Sequence, residues 1–238
     1  QANWSDNFDD GDTAGWMFFN HTGGAPISNV SAASGVLVLE HTGGWVDPFG
    51  SGYDQTVTGL RTDEVFTDVV VRATILPQGP QTTLAGGMDN ANNYVYLVAR
   101  SSGASGYVLA FDWGERDFQL IRVDNGVIYI PEEQPVGPTP SLRIHGLDLN
   151  GTYVMELSIV GSNLTGRFYD ETGTTLISEV VWTDNTYTSG WSGIGAFVND
   201  LPGGAGTFIS AAFDNVSSSV FIPEPASLAL VGLGAMLV

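Results

Sequence analysis

The chain has 238 residues, 43% hydrophobic and 11% aromatic, enough apolar material for one large β-domain or two small ones and too much for a disordered polymer. Its 26 acidic residues face 7 basic ones, all arginine, for a formal net charge of -19; this argues against nucleic acid as a partner and favours attraction of divalent cations, calcium first among them. There is no cysteine, so disulfides, thiolate metal sites and cysteine nucleophiles are excluded.

The sequence opens on Gln1-Ala2 rather than Met, which reads as an exported protein whose N-terminal signal has been removed. An acidic turn segment follows, from Asp6 to Asp12. Asp9, Asp10 and Asp12 admit two readings, ion binding or acidic turns facing solvent; their spacing is not that of an EF-hand, because Phe8 stands where a ligand is needed. The echo of His21-Thr22-Gly23-Gly24 in His41-Thr42-Gly43-Gly44 reads as two similar glycine turns. Short runs rich in Val, Ile, Tyr, Phe and Thr then predict strands at 36–40, 68–76, 94–100, 107–112, 118–123, 127–130, 153–160, 164–169, 176–182, 193–198 and 208–216. No long amphipathic helix interrupts them. Asp124-Asn125-Gly126 and Gly161-Ser162-Asn163 have the turn chemistry of antiparallel hairpins. The Pro-rich stretch 131–140 cannot serve a central strand and predicts a surface loop. Many short strands of this kind build a sandwich or a barrel, expected here as one domain over residues 1–220.

From Phe221 the character changes: Pro223-Glu224-Pro225 is followed by uncharged, mostly apolar residues up to Val238. The segment 221–238 resembles the PEP-CTERM sorting signal, in which Pro-Glu-Pro precedes a hydrophobic helix and a basic cluster. The resemblance implies a bacterial cell-surface or extracellular protein, exported and then processed or anchored by an exosortase-type system. No Arg cluster follows Val238, and the apolar run is shorter than the ~20 residues that cross a bilayer core. Membrane contact is therefore expected through the tail alone. An oily terminus on an acidic body must find shelter on its own sandwich, in a neighbouring subunit or in lipid, and this predicts self-association into a filament or sheet.

The body resembles the concanavalin A-like fold of legume lectins, laminin G-like modules and bacterial endo-glucanases. The residues that carry this are Asp6 to Trp16, Ser34-Gly35-Val36-Leu37-Val38-Leu39-Glu40, the paired strands within 153–170, and Ala212-Phe213-Asp214-Asn215-Val216. The resemblance implies an all-β, two-sheet antiparallel β-sandwich (jelly roll), here with a short hydrophobic C-terminal tail. By the same resemblance, a structural calcium would be held by the carbonyls of Asn7 and Gly35 and by Asp214, clamping the two ends of the domain together.

Glucanases of this fold carry a Glu-x-Asp-x-x-Glu strand, and no such run occurs here. Nor is there a nucleophile elbow, a Walker loop or a His-Glu-x-x-His helix, and His145 stands without a visible partner. The expectation is a protein that is not an enzyme. The leading reading is a structural surface or matrix protein that self-assembles through tail and sandwich. The alternative is a lectin-like adhesin for extracellular polysaccharide, and glycoside hydrolysis ranks below both. Candidate stacking platforms are Trp45, Tyr94, Tyr96, Trp113, Trp182 and Trp191, with Tyr94 and Tyr96 on one strand face. Trp113, with Asp112 and Arg116, is the preferred ligand contact, because a turn directly follows it and should leave it exposed.

Overall fold

The computed structural model describes residues 3–20, 29–32, 34–42, 54–77, 93–113, 116–131, 140–199 and 208–221. In chain order the strands are β1 (Asn3–Asp6), β2 (Trp16–Asn20), β3 (Asn29–Ser31), β4 (Leu37–Thr42), β5 (Asp54–Phe66), β6 (Val69–Ile75), β7 (Asn93–Ser101) and β8 (Gly106–Asp112). They continue as β9 (Asp117–Asp124), β10 (Val127–Tyr129), β11 (Ser141–Arg143), β12 (Tyr153–Val160), β13 (Asn163–Tyr169), β14 (Leu176–Thr183), β15 (Gly190–Asn199) and β16 (Phe208–Val220). No helix occurs among the described residues.

Two antiparallel sheets of eight strands each form a sandwich, as the sequence predicts. One runs β14-β13-β12-β6-β16-β4-β3, with β1 also on β16; the other runs β10-β9-β8-β7-β15-β5-β2, with β11 also on β9. Both expected hairpins form. Asn125 and Gly126 take φ of 51° and 82°, the left-handed pair that a two-residue turn matching the strand twist requires.

In the first sheet burial alternates strictly on β6. On β6, Val69, Val71, Ala73 and Ile75 are buried and the residues between them are half-buried, as a strand with one apolar face demands. Side chains of the second sheet meet this face: Phe168 of β13 has its ring centroid 4.9 Å from Phe111 and 5.5 Å from Phe118, and 5.1 Å from Tyr153 of its own sheet. The second sheet does not alternate. Strands β7 and β8 are buried almost continuously and β9 from Phe118 to Ile121, and a separate apolar cluster of Leu60, Tyr96, Val98, Ala110, Ile121 and Phe197 covers their other face.

The sequence reading missed β1, β2, β3, β5 and β11. The omission of β5 has a physical reason. Its apolar side chains serve both faces, Val57 and Phe66 the central core and Leu60 the second cluster, and Arg61, Asp63 and Glu64 break the apolar run. The segment with Pro223, Glu224 and Pro225, Trp45, and residues 132–139 of the Pro-rich stretch lie outside the described residues.

Candidate functional site

The second cluster lines a groove of about 280 Å³ on the outer face of the second sheet. Strand register sets its floor in rungs. Thr58, Gly195, Tyr96, Ala110 and Gln119 pair successively across β5, β15, β7, β8 and β9. The next rung along the strands is Leu60, Gly193, Val98, Val108 and Ile121. On the opposite side of the Tyr96 rung, Tyr94 and Phe197 meet edge to face with centroids 5.3 Å apart.

Tyr96 lies across β15, and a Cβ on Gly195 would stand 2.3 Å from its Cζ. Its hydroxyl reaches Thr58 Oγ1 at 2.6 Å and donates to the Val57 carbonyl at 3.3 Å. Burial pushes this phenol well above its ordinary range, further than the Thr58 hydrogen bond draws it back, so it remains a neutral donor. Ser101 and Ser105 are also buried in the lining, where their hydroxyls accept from the backbone N–H of Gly103 at 3.0 Å and of Asn125 at 2.8 Å. No charged side chain is found among the described lining residues.

The rim at β10 is tied down by a polar network. Tyr107 donates to Asp184 Oδ1 at 2.5 Å, Arg122 Nη1 meets Asp184 Oδ2 at 2.7 Å, and Tyr187 donates to Asp124 Oδ1 at 2.5 Å. Arg122 also sits 4.5 Å over the ring of Tyr129. Burial and the bond to Asp184 push the Tyr107 phenol up to about 12. Burial opposes the charge of Asp184, yet hydrogen bonds from Tyr107, Thr186 and Arg122 outweigh it and hold the carboxyl below its ordinary value. The network fixes the β9–β10 hairpin, which places Ile128 and Ile130 along the groove.

The structure corrects the exposure expected of Trp113. The indole is 5% exposed, packs at 5.0 Å against Phe111 and donates from Nε1 to the Leu149 carbonyl at 3.2 Å. The chain does turn after Trp113, but the ring has rotated into the central core and offers no stacking plate. Asp112 is fully buried opposite Tyr94, and its carbonyl accepts from the backbone N–H of Arg116 at 2.8 Å. Of the other expected platforms, Tyr94 and Tyr96 do share one face and line the groove. Trp191 packs against the second cluster, while Trp182 packs on the central core and stacks with Tyr129 at 6.2 Å. Sequence reasoning missed Thr58, Gln119 and Phe197. The signal was present in the unbroken apolar runs Tyr94–Ala99 of β7 and Tyr107–Phe111 of β8, which mark a sheet buried on both faces.

Asn7, Gly35 and Asp214 come to one corner of the first sheet. Asp6 pairs with Val216 and Leu37 with Phe213, so the turns after β1 and before β4 flank the part of β16 that carries Asp214. Phe8, Ser34, Gly35 and Asn215 all take positive φ there, between 49° and 73°. Asp9 Oδ1 lies 2.9 Å from where a Cβ on Gly35 would stand, so a side chain at Gly35 would displace that carboxylate. Asn7 Nδ2 donates to Asp9 Oδ2 at 2.6 Å, and both Asp214 oxygens accept from Asn215, at 2.6 and 2.8 Å. Asp10 and Asp12 instead cap the backbone N–H groups of Asp12 and Ala14 at 3.1 and 2.8 Å, as solvent-facing turn formers. Among the described residues no group of three or more acidic or histidine side chains gathers into a metal cluster. The donor chemistry at the corner, backbone carbonyls with the carboxylates of Asp9 and Asp214, nevertheless fits a hard cation, since a carboxylate oxygen that accepts one hydrogen bond keeps a lone pair.

No protein family matches the sequence, and no characterised protein resembles it in sequence. Solved structures do match. A native glycosidic hydrolase is similar with a TM-score of 0.57 and 14% identity, over 91% of this chain and 95% of that one. The exoplasmic/lumenal domain of VIP36, in its Ca2+/Man3GlcNAc-bound form, gives 0.54 at 8% identity, over 88% of this chain and 85% of that one. The metal-free lectin I-B4 of Griffonia simplicifolia gives 0.52 at 10% identity, over 92% and 99%. What the chain shares with them is the concanavalin A-like jelly-roll sandwich.

Proposed function

We propose that the chain is a non-catalytic carbohydrate-binding protein whose ligand enters the groove over Tyr94 and Tyr96. This places the lectin-like alternative ahead of the self-assembling structural protein expected first. The observation that carries it is the groove itself: tyrosine rings and neutral hydroxyl and amide groups set on the open face of a sheet, in a fold that solved lectins share. Aromatic rings pack on the apolar faces of sugars, and neutral polar side chains orient their hydroxyls. The described lining holds no carboxylate pair of the kind that glycoside cleavage uses, so binding is the better-supported reading beside the glycosidic hydrolase of like fold.

A calcium ion at the corner of Asn7, Asp9, Gly35 and Asp214 belongs to the same proposal. It would supply a fixed positive charge that relieves repulsion among the acidic turns and ties the segment after β1 to β16. Pro223-Glu224-Pro225 supports delivery to the cell surface by an exosortase-type route, where polysaccharide is the available partner.

Screening the full chain on a glycan array, followed by calorimetry with Tyr94→Ala, tests the proposal. The expected result is binding to a defined set of neutral glycans, weakened at least tenfold by the substitution. Absence of binding across the array, or affinity unaltered in Tyr94→Ala, overturns it.

A further inference from the structure

The groove's chemistry is graded along the strands. The aromatic rung of Tyr94 and Phe197 lies at one end and the Tyr96–Gln119 rung comes next. The Val98–Val108–Ile121 rung follows, and Val123 paired with Ile128 closes the series. Successive rungs on one face are two residues apart, or ~7 Å. A ligand lying along the strands therefore meets rings, then polar groups, then a purely aliphatic strip.

Gln119 stands out among the polar groups. It is 6% exposed and lines the groove, and among the described residues its side-chain amide makes no hydrogen bond. Thr58 and Tyr96 satisfy each other, and Ser101 and Ser105 serve backbone N–H groups. The Gln119 amide is not among the fully enclosed side-chain atoms that lack a partner; it opens on the groove, where a ligand can replace water as its hydrogen-bond partner. The groove's about 280 Å³ is at the lower end of ligand pockets, so it suits one sugar ring with a substituent rather than a run of rings. Free sugars have nothing to set against two successive aliphatic rungs. Anions are disfavoured by a net charge of -19.

We infer that the site takes a sugar carrying an acyl group. The sugar ring packs at Tyr94, the acyl carbonyl accepts a hydrogen bond from the Gln119 amide, and the alkyl chain lies along Val98, Val108, Ile121 and Ile128. This rests on the carbohydrate reading above and narrows it to one ligand class.

Calorimetry on the full chain with glucosamine, its N-acetyl, N-butanoyl and N-hexanoyl derivatives, and N-methylhexanamide as a sugar-free control separates the possibilities. Affinity is expected to rise about threefold to fourfold for each added methylene, with N-methylhexanamide at least tenfold weaker than the hexanoyl sugar. Gln119→Leu should weaken the hexanoyl sugar about tenfold. Ile128→Ser, at a position 42% exposed where folding is not at stake, should flatten the dependence on chain length. Equal affinity for acylated and plain sugars overturns the inference and leaves the carbohydrate site standing. Equal affinity for N-methylhexanamide and the hexanoyl sugar overturns both, whereas absence of binding by every member overturns the inference and leaves the carbohydrate reading to the glycan array.

Discussion

Tyr96 spans strand β15 to meet Thr58, its hydroxyl 2.6 Å from the threonine Oγ1. The span exists because Gly195 lies beneath the ring, where a Cβ would come within 2.3 Å of it. Gly195→Ala is therefore expected to push the ring off the sheet, destabilise the fold by about 1–3 kcal/mol through overpacking and abolish glycan binding. Urea denaturation checks the first effect; an unchanged midpoint would contradict the close seating of ring on backbone.

Trp113 belongs to the core, so its replacement should act on stability and leave recognition alone. Trp113→Ala is expected to cost about 3–5 kcal/mol, read as a fall in the thermal midpoint. The fraction that stays folded should bind glycan with wild-type affinity. Loss of affinity without loss of stability would return the indole to the ligand site.

Asp184 provides a test in pH. Its folded carboxyl titrates below the ordinary value because hydrogen bonds from Tyr107, Thr186 and Arg122 overcome its burial. The stability it confers is thus present above the unfolded pKa of about 3.9 and lost as pH falls through the lower folded value. Asp184→Asn should cost about 1–3 kcal/mol at neutral pH, and the gap from wild type should narrow as the medium is made more acid than pH ~3.9. Paired denaturation curves across that range give the answer; a gap that widens in acid would reverse the sign of the argument.

Chelation tests the proposed cation. With free calcium at about 100 times its dissociation constant the folded state gains about 2.7 kcal/mol, so a chelator should lower the unfolding midpoint. Asp214→Ala should lower it likewise and remove the response to calcium. A midpoint indifferent to calcium in the wild-type chain would remove the ion from the account.

Much of the scaffold was legible in the sequence, for stated reasons. Val69, Val71, Ala73 and Ile75 alternate cleanly because β6 has a single apolar face, and Asn125-Gly126 marks its hairpin because both residues accept positive φ. Strand β5 was hidden because it divides its apolar side chains between two faces. The groove was half legible: Tyr94 and Tyr96 were placed on one face by alternation, whereas Gln119 and Phe197 reach it only through the pairing order of β9, β8, β7 and β15. Trp113 misled because a turn in the backbone does not decide which way a ring points.

The central claim is that carbohydrate binds on the outer face of the β7, β8 and β9 strands. It is tested most directly by methyl NMR of the chain labelled at Ile and Val, titrated with a panel of soluble oligosaccharides and acylated monosaccharides. The account predicts that at least one ligand moves the methyl resonances of Val108, Ile121 and Ile128 together, while those of Val69, Val71 and Ile75 in the central core stay in place. Saturating additions of the whole panel that leave the three groove residues unmoved would contradict it.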